Sequence, residues 1–329
     1  MSTYRVAVFT GEKTIEFKEL ELKKPLGTQA LVKIDSCALC TLEQRVYNGV
    51  MRYYPFAGGH EFAGTVCEIG DKVVHLKPGD HVTARILTNC GSCYYCRNGH
   101  ENQCVISFQA SLHEGINGPG GLSEYILIDE SLLYKMANDI NLSYAALTEP
   151  LACCVHSISQ GNIELGDDVA VIGVGIMGAF HIKLAKLRGA RVIAIELDPE
   201  RLEIAKEMGA DVLVDAGKCN SVEKVIELTE GRGANVVFCT VANPQSAAEA
   251  IAMAGKLGRV VLYSSFHPKL PIELDVNHVH YSEMIITGSV NPKIKDFYVA
   301  SKLLSTGIVN PARLISEEVP FENIDYALQ

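Results

Sequence analysis

The sequence has no block of lysine or arginine: 29 basic residues are spread thinly among 39 acidic ones, for a net charge of −10. Nucleic acids and anionic membrane surfaces are bound through clustered positive charge, so neither is expected as a partner. It also has no apolar run long enough to span a membrane. The longest, 169–180, carries three glycines and stops at His181, short of the roughly 20 residues a spanning helix needs. The opening "MSTYRVAVF" has no basic head before a long apolar stretch, so no secretory signal is expected and a cytoplasmic protein is. In that reducing setting disulfides are rare, and the eleven cysteines are an odd number that cannot all pair within one chain. There is no internal repeat and no low-complexity segment.

What is present is a chain of 329 residues, 48% hydrophobic, long enough for two domains with separate cores. The first part, to about Ile128, shows short β-type runs such as "RVAVF", "ALVKID", "EFAGTVCEIG", "DHVTARIL" and "LSEYILI", punctuated by turn residues. That pattern predicts a small barrel or sandwich. From Asp168 the period changes to strand and helix in alternation, with "VAVIG", "RVIAIEL", "DVLVD", "NVVFCT", "GRVVLYS" and "MIITGSV" as strands. This predicts a parallel sheet covered by helices. Between the two, "SYAALTEPLACCVHSISQG" is helix-like but reads as interrupted by Pro150.

An irregular insertion of about residues 88–120 contains "NCGSCYYCRNGHENQC". Cys90, Cys93, Cys96 and Cys104 follow the spacing Cys-x2-Cys-x2-Cys-x7-Cys. Four thiolates on one loop suit tetrahedral zinc, and a closed four-sulfur shell makes such a site structural. The alternative is a set of free or buried thiols. A DNA-binding zinc module would need flanking basic residues, and only Arg97 lies inside the cluster.

Gly173, Gly175 and Gly178 form G-x-G-x-x-G directly after an apolar strand and before a helix. Gly173 permits the bend, Gly175 lets the backbone near a pyrophosphate, and Gly178 lets helix and strand pack closely. The free N–H groups of the helix start, at Ile176 and Met177, then face the phosphates. Glu196 ends the second strand, where a carboxylate accepts the ribose hydroxyls of NAD and repels the 2′-phosphate of NADP, so NAD(H) is expected. Arg201 along the adenosine and Val241 after a later strand are further cofactor candidates. Arg201 is otherwise a solvated helix charge. His278 and His280 in "NHVHYSE" resemble a metal pair, but alternate strand or loop placement explains them more simply.

Other candidates are scattered: Cys40 in "DSCALCTLEQ", His60 and Glu61 in "GGHEFAG", and Glu149 in "LTEPLACCVHS". Taken singly, each reads as a buried thiol, a turn residue or a local cap. Their order, with the four-cysteine loop and "GVGIMG", resembles the zinc-dependent medium-chain dehydrogenase/reductase family, and most closely its sorbitol/polyol branch. The resemblance covers nearly the whole chain. It implies an α/β fold: a GroES-like β-barrel catalytic domain at 1–150 with a zinc lobe at 88–105, a Rossmann doubly wound parallel sheet at 151–288, and a return to the catalytic domain at 289–329. It assigns Cys40, His60, Glu61 and Glu149 to a catalytic zinc and the four-cysteine loop to a structural one, two zinc ions per chain. A glutamate at 149, where simple alcohol dehydrogenases often carry cysteine, tilts the reading towards polyols. Cys153 and Cys154 are competing ligands in sequence.

The implied activity is transfer of a hydride between a secondary alcohol, a polyol or sugar derivative, and NAD, with zinc polarising the substrate oxygen. Threonine-type and simple alcohol dehydrogenases are alternatives within the family. The rival classes are a zinc-free reductase of the same superfamily, reducing activated double bonds, and a non-enzymatic zinc- and nucleotide-binding sensor. Leu42 stands where the family usually has a hydroxyl for proton relay; Thr41, or Glu61 or Glu149 with a bound water, is expected to carry the proton instead. Glu43 is expected to orient His60. Family position alone suggests Tyr47, Phe108 and His113 for a substrate pocket, a homodimer or homotetramer, and a further strand beyond "IDYALQ".

Overall fold

Short strands that are only partly buried build the first part of the chain, and strands with near-continuous buried runs, such as Asp168–Ile172 and Arg191–Glu196, build the sheet of the second. A computed structural model describes residues 2–107, 113 and 115–329. These form two units, Met1–Ala152 with Lys293–Gln329, and Cys153–Pro292.

In the first unit β1 (Thr3–Gly11) pairs antiparallel with β2 (Thr14–Glu21). A second, antiparallel sheet contains β3 (Gln29–Ala38), β4 (Glu61–Ile69), β5 (His81–Ala84), β6 (Tyr125–Asp129) and β7 (Leu133–Lys135), in the order β6-β3-β4-β5-β7. Val32, Phe62, Val66, Val82 and Ile126 point into one core. Irregularities in the β3–β4 ladder between Leu31 and Val32 and between Ile34 and Ser36 curl the sheet, as bulges do. This curled antiparallel sheet is the expected GroES-like domain. The register pairs Ala38 with Glu61. It therefore brings the end of β3, just before Cys40, alongside the start of β4, just after His60.

The second unit contains β8 (Asp168–Ile172), β9 (Arg191–Glu196), β10 (Val212–Asp215), β11 (Ala234–Cys239), β12 (Ala254–Leu262) and β13 (Ile285–Gly288). They are all parallel, in the order β10-β9-β8-β11-β12-β13. Every residue of β8 is buried, as a strand covered on both faces requires. Helices Ile176–Leu187, Pro199–Met208, Ser221–Leu228 and Pro244–Met253 connect the strands. Asp198 caps the second of these by accepting from Glu200 N, and Gly209 ends it in the left-handed conformation. Strand order reverses between β8 and β11, the place where such sheets bind ligands.

Two local expectations are corrected. Pro150 does not interrupt a helix; the chain breaks at Leu147, between helices Leu142–Ala146 and Thr148–Gly161. Pro150 lies in the first turn of the second helix, where its missing N–H has no intrahelical acceptor to lose. His278 and His280 lie on a helix, Val276–Ser282, rather than on a strand or loop, because Asp275 caps it by accepting from Asn277 N and His278 N. Among the described residues no helix is long and apolar enough to cross a membrane.

Candidate catalytic and metal centres

The four-cysteine loop folds back on itself. The Sγ atoms of Cys90, Cys93, Cys96 and Cys104 lie within 4.8 Å of one another. Cys93 and Cys104 are 3.9 Å apart, and Cys104 and Cys90 3.7 Å. A tetrahedron with Zn–S bonds of about 2.3 Å has edges of about 3.8 Å, so the sulfurs stand at the spacing zinc demands and far beyond disulfide length. Peptide N–H groups support the thiolates: Cys90 N donates to Cys104 Sγ and Cys93 N to Cys90 Sγ, each at 3.3 Å. Hydrogen bonds from Ser92 and from the Ser92 and Cys93 peptides hold the Cys90 thiol down at about 6. The rest of the loop is tied at its outer end, where Glu101 accepts from Ile294 N at 2.8 Å.

The second cluster is assembled by the sheet. Cys40 follows β3 as N-cap of the short helix Thr41–Tyr47. His60 and Glu61 open β4, and Glu149 lies in the first turn of Thr148–Gly161. Two ligand-type groups share His60: Cys40, Glu43 and His60, and His60, Glu61 and Glu149. Ligand atoms of Cys40, Glu43 and His60 lie within 4.8 Å of one another, as do those of His60, Glu61 and Glu149. Four residues spread over 110 positions of sequence are thus brought together. Cys153 and Cys154 join neither group; the Cys154 thiol donates to Met177 O at 3.5 Å.

Glu43 is fully buried on the inner side of its helix. One carboxylate oxygen accepts from Gly59 N at 2.9 Å and from His60 Nδ1 at 3.1 Å. That contact fixes the ring so that Nε2 faces Glu61 Oε1, 3.8 Å away. Burial disfavours the imidazolium, but the Glu43 carboxylate and the Cys40 contact carry the His60 pKa well above its usual value. Burial pushes the Glu61 carboxyl up to about 8, with Glu149 and Glu43 adding to it and His60 opposing. Burial also raises the Cys40 thiol. One thiol and three carboxylates packed around a single imidazole call for added positive charge, and a divalent cation with mixed N, O and S ligands answers that demand. Thr41 is exposed, with its hydroxyl 3.9 Å from Cys40 Sγ. Leu42 packs into an apolar cluster.

Sequence reasoning missed the role of the glycine pair before His60. A Cβ on Gly58 would sit 3.0 Å from Glu43 Cγ and 3.1 Å from a Phe9 ring carbon, so glycine leaves the room in which Glu43 lies. The doublet "GG" beside a candidate ligand was the available signal. Of the pocket candidates, Tyr47 is buried edge-on against Phe9. His113 is buried, with Nδ1 2.9 Å from Tyr4 Oη and Nε2 2.9 Å from Gly120 O. Phe108 lies outside the described residues.

In the second unit Gly173 has φ 85°, a left-handed conformation, and a Cβ on Gly178 would collide with Gly173 O at 1.9 Å. Nothing lies within 4 Å of a Cβ built on Gly175, which caps helix Ile176–Leu187 without a side-chain bond. The first N–H groups of that helix, at Ile176 and Met177, have no intrahelical acceptor. Glu196 accepts from Val174 N and Leu197 N, both at 2.7 Å, and so stands directly beside the glycine turn. Val241 abuts Gly173, and the Thr240 hydroxyl donates to Ile172 O at 2.9 Å. Arg201 is half-exposed, 3.8 Å from the Asp198 carboxylate.

Residues 27–138 match the alcohol dehydrogenase GroES-like domain family and residues 173–306 the zinc-binding dehydrogenase family. The chain is 33% identical to a sorbitol dehydrogenase of Halalkalibacterium halodurans, over 91% of this chain and 87% of that one. It is 30% identical to a D-arabitol-phosphate dehydrogenase of Enterococcus avium, over 94% and 88%. Among solved structures, a protein assigned as a zinc-binding dehydrogenase from Sinorhizobium meliloti, bound to NADP, superposes with a TM-score of 0.92 at 25% identity, covering all of this chain and 96% of that one.

Proposed function

The chain belongs to the zinc-dependent medium-chain dehydrogenase family, and from that membership we propose that it oxidises a secondary alcohol of a polyol or sugar derivative with NAD, and reduces the corresponding ketone. The observation that carries the reading is the carboxylate-bearing group His60, Glu61 and Glu149 meeting Cys40, a donor set for a catalytic rather than a closed zinc site. Cys40, His60, Glu61 and Glu149 would hold one zinc, and Cys90, Cys93, Cys96 and Cys104 a second. A zinc bound at the first set supplies Lewis-acid polarisation of a substrate oxygen, and a bound nicotinamide supplies the hydride acceptor. Glu43 keeps His60 in the tautomer whose Nε2 is free to ligate. The exposed Thr41 hydroxyl would relay the alcohol proton, accepting it while passing its own to solvent, because Leu42 has no exchangeable group. Peptide N–H groups at Gly175, Ile176 and Met177 would hold the pyrophosphate, with Val241 against the turn and Arg201 available to the adenosine. Glu196 takes the ribose hydroxyls. Although the Sinorhizobium protein binds NADP, a carboxylate at this position opposes a 2′-phosphate.

We also assign the protein to the cytoplasm and to a homodimer or homotetramer. Among the described residues β13 is an outer strand of the parallel sheet, and Ile285, Val276, Tyr281 and Val290 nearby are exposed.

The test is a turnover screen over polyols, sugar alcohols, hydroxy amino acids and simple alcohols, with NAD and NADP, before and after chelation. Metal analysis and sedimentation accompany it. The expected result is NAD-linked, chelator-sensitive oxidation of a polyol, two zinc ions per chain and a sedimenting oligomer. Preference for NADP removes the role given to Glu196. Full activity after loss of zinc from the Cys40 group removes the proposal itself.

A further inference from the structure

The helix that presents Cys40 and Glu43 cannot hold its own position. Thr41–Tyr47 has seven residues, and its N-cap Cys40 makes no side-chain capping bond. Helices this short are marginal in water, and packing has to place them. On one side Glu43 is buried against Gly59 and His60. On the other, Leu42, Val46 and Tyr47 share a single apolar cluster with Phe9, Phe56, Ile324 and Leu328.

Ile324 and Leu328 come from far along the chain, in a segment just as short. The four-residue helix Ile324–Ala327 follows a 3-10 turn, Phe321–Asn323. Both apolar side chains are buried, at 4% and 3% exposure. Outside the cluster the segment is held by Arg5. Its guanidinium pairs with Glu322 at 2.8 Å and lies 5.9 and 5.8 Å from the centres of the Phe17 and Phe321 rings. Two elements too short to persist alone therefore complete one cluster between them.

We infer that the segment Phe321–Leu328 positions the helix bearing Cys40 and Glu43, so that metal retention at Cys40 and His60 depends on Ile324 and Leu328 staying docked. Loss of the segment takes Ile324 and Leu328 out of the cluster that holds Leu42, Val46 and Tyr47, and the helix is then free to shift and carry Cys40 and Glu43 with it. The coupling is reciprocal: what the docked segment adds to metal affinity, bound metal returns as docking of the segment. The inference rests on the assignment of a zinc to the Cys40 group. The four cysteines, and the peptide N–H groups that support their sulfurs, all come from one fifteen-residue loop, so a metal there is expected to be indifferent to the segment.

The experiment follows zinc release from the holoprotein into a chromogenic chelator, with release from the two sites resolved in time and assigned with Cys40→Ala. Ile324→Ala/Leu328→Ala is expected to release the Cys40-site zinc about tenfold faster, the size of effect that outer supporting residues have on metal affinity. The second zinc is expected to leave at the unaltered rate. Ile324→Val/Leu328→Met should restore slow release. Tyr326→Ala, on the exposed side of the same helix, should leave both rates unchanged. In the unmutated protein, amide hydrogen exchange at 324–328 should quicken several-fold when the Cys40-site zinc is withdrawn, which needs no variant to fold. Equal acceleration of both zincs, or unchanged release with unchanged exchange, overturns the inference. A holoprotein that carries zinc only in the four-cysteine loop overturns instead the functional assignment on which it rests.

Discussion

The two metal-type clusters of the first unit are built in opposite ways. Cys90, Cys93, Cys96 and Cys104 come from fifteen consecutive residues, and peptide N–H groups of the same loop support their sulfurs. Cys40, His60, Glu61 and Glu149 come from three separate elements, and a strand register, a seven-residue helix and a buried glutamate bring them together. A local cluster can close around its ion and stabilise its own loop. A dispersed one inherits its geometry from the surrounding fold and can keep a ligand position open for substrate. Stability and catalysis are therefore expected to separate along this line.

The sharpest way to break the comparison is to remove one ligand from each side. His60→Ala should lower kcat/KM by about 10³-fold or more, in the range of losing a principal electrostatic stabiliser. It should cost one zinc per chain, while the thermal midpoint moves only a few degrees. Kinetics, metal analysis and calorimetry on one preparation check this. Cys104→Ser should show the reverse order of effects. The other zinc is lost, and the midpoint falls by about 10 °C, since a structural site supplies several kcal/mol and each kcal/mol is worth about 2–4 °C in a chain of this size. If both variants lose activity and stability in equal measure, the division of labour is wrong.

The same contrast explains what could be read from the sequence. The convergence of the four cysteines was legible from spacing alone, because all four share one short segment. The parallel sheet was legible from six apolar runs, because burial on both faces leaves a continuous apolar signal in strands such as β8. The dispersed cluster was not legible residue by residue: Cys40 and His60 meet because Ala38 pairs with Glu61, and strand register leaves no mark at the ligand itself. Only the order of several motifs suggested it. The packing beneath it was invisible, since nothing around Leu42 in the sequence refers to Ile324 or Leu328. His278 and His280 were misplaced because the capping of their helix by Asp275 outweighed the period of two that they show.

Acid is another way to separate the clusters, but the second unit limits it. His181 is fully buried, with Nδ1 2.7 Å from Met177 O and Nε2 2.7 Å from Ser157 Oγ. Burial pushes its pKa down to about 4, below the ordinary 6.5. The unfolded chain therefore takes up a proton that the folded one refuses. The stabilising contribution is complete above about pH 6.5 and is lost as pH falls towards 4, up to about 3 kcal/mol in all. Urea unfolding from pH 7.5 to 4.5 should show this slope, and the His181 imidazole should show no NMR titration above pH 5. A ring that titrates near 6.5 would refute it. Metal release in acid should then be compared only above about pH 5.5.

The smallest expected effect sharpens the comparison most finely, because it leaves every ligand in place. A Cβ at Gly58 would lie 3.0 Å from Glu43 Cγ, 3.1 Å from Phe9 Cε2 and 3.3 Å from Glu43 Oε1. These contacts are tight but not impossible, and Gly58 does not adopt the left-handed conformation, so alanine brings no backbone strain. Phe9 is fully buried and has nowhere to go, so Glu43 has to yield. Its carboxylate then loosens from His60 Nδ1 and Gly59 N, and the imidazole loses the partner that fixes its tautomer. Gly58→Ala should weaken zinc at the Cys40 group about tenfold and lower kcat/KM in proportion, with zinc in the four-cysteine loop untouched. Chelator competition on the holoprotein measures both affinities at once. Unchanged affinity at both sites would mean that Glu43 fills space beside His60 without directing it, and the dispersed cluster would then be held by its ligands alone.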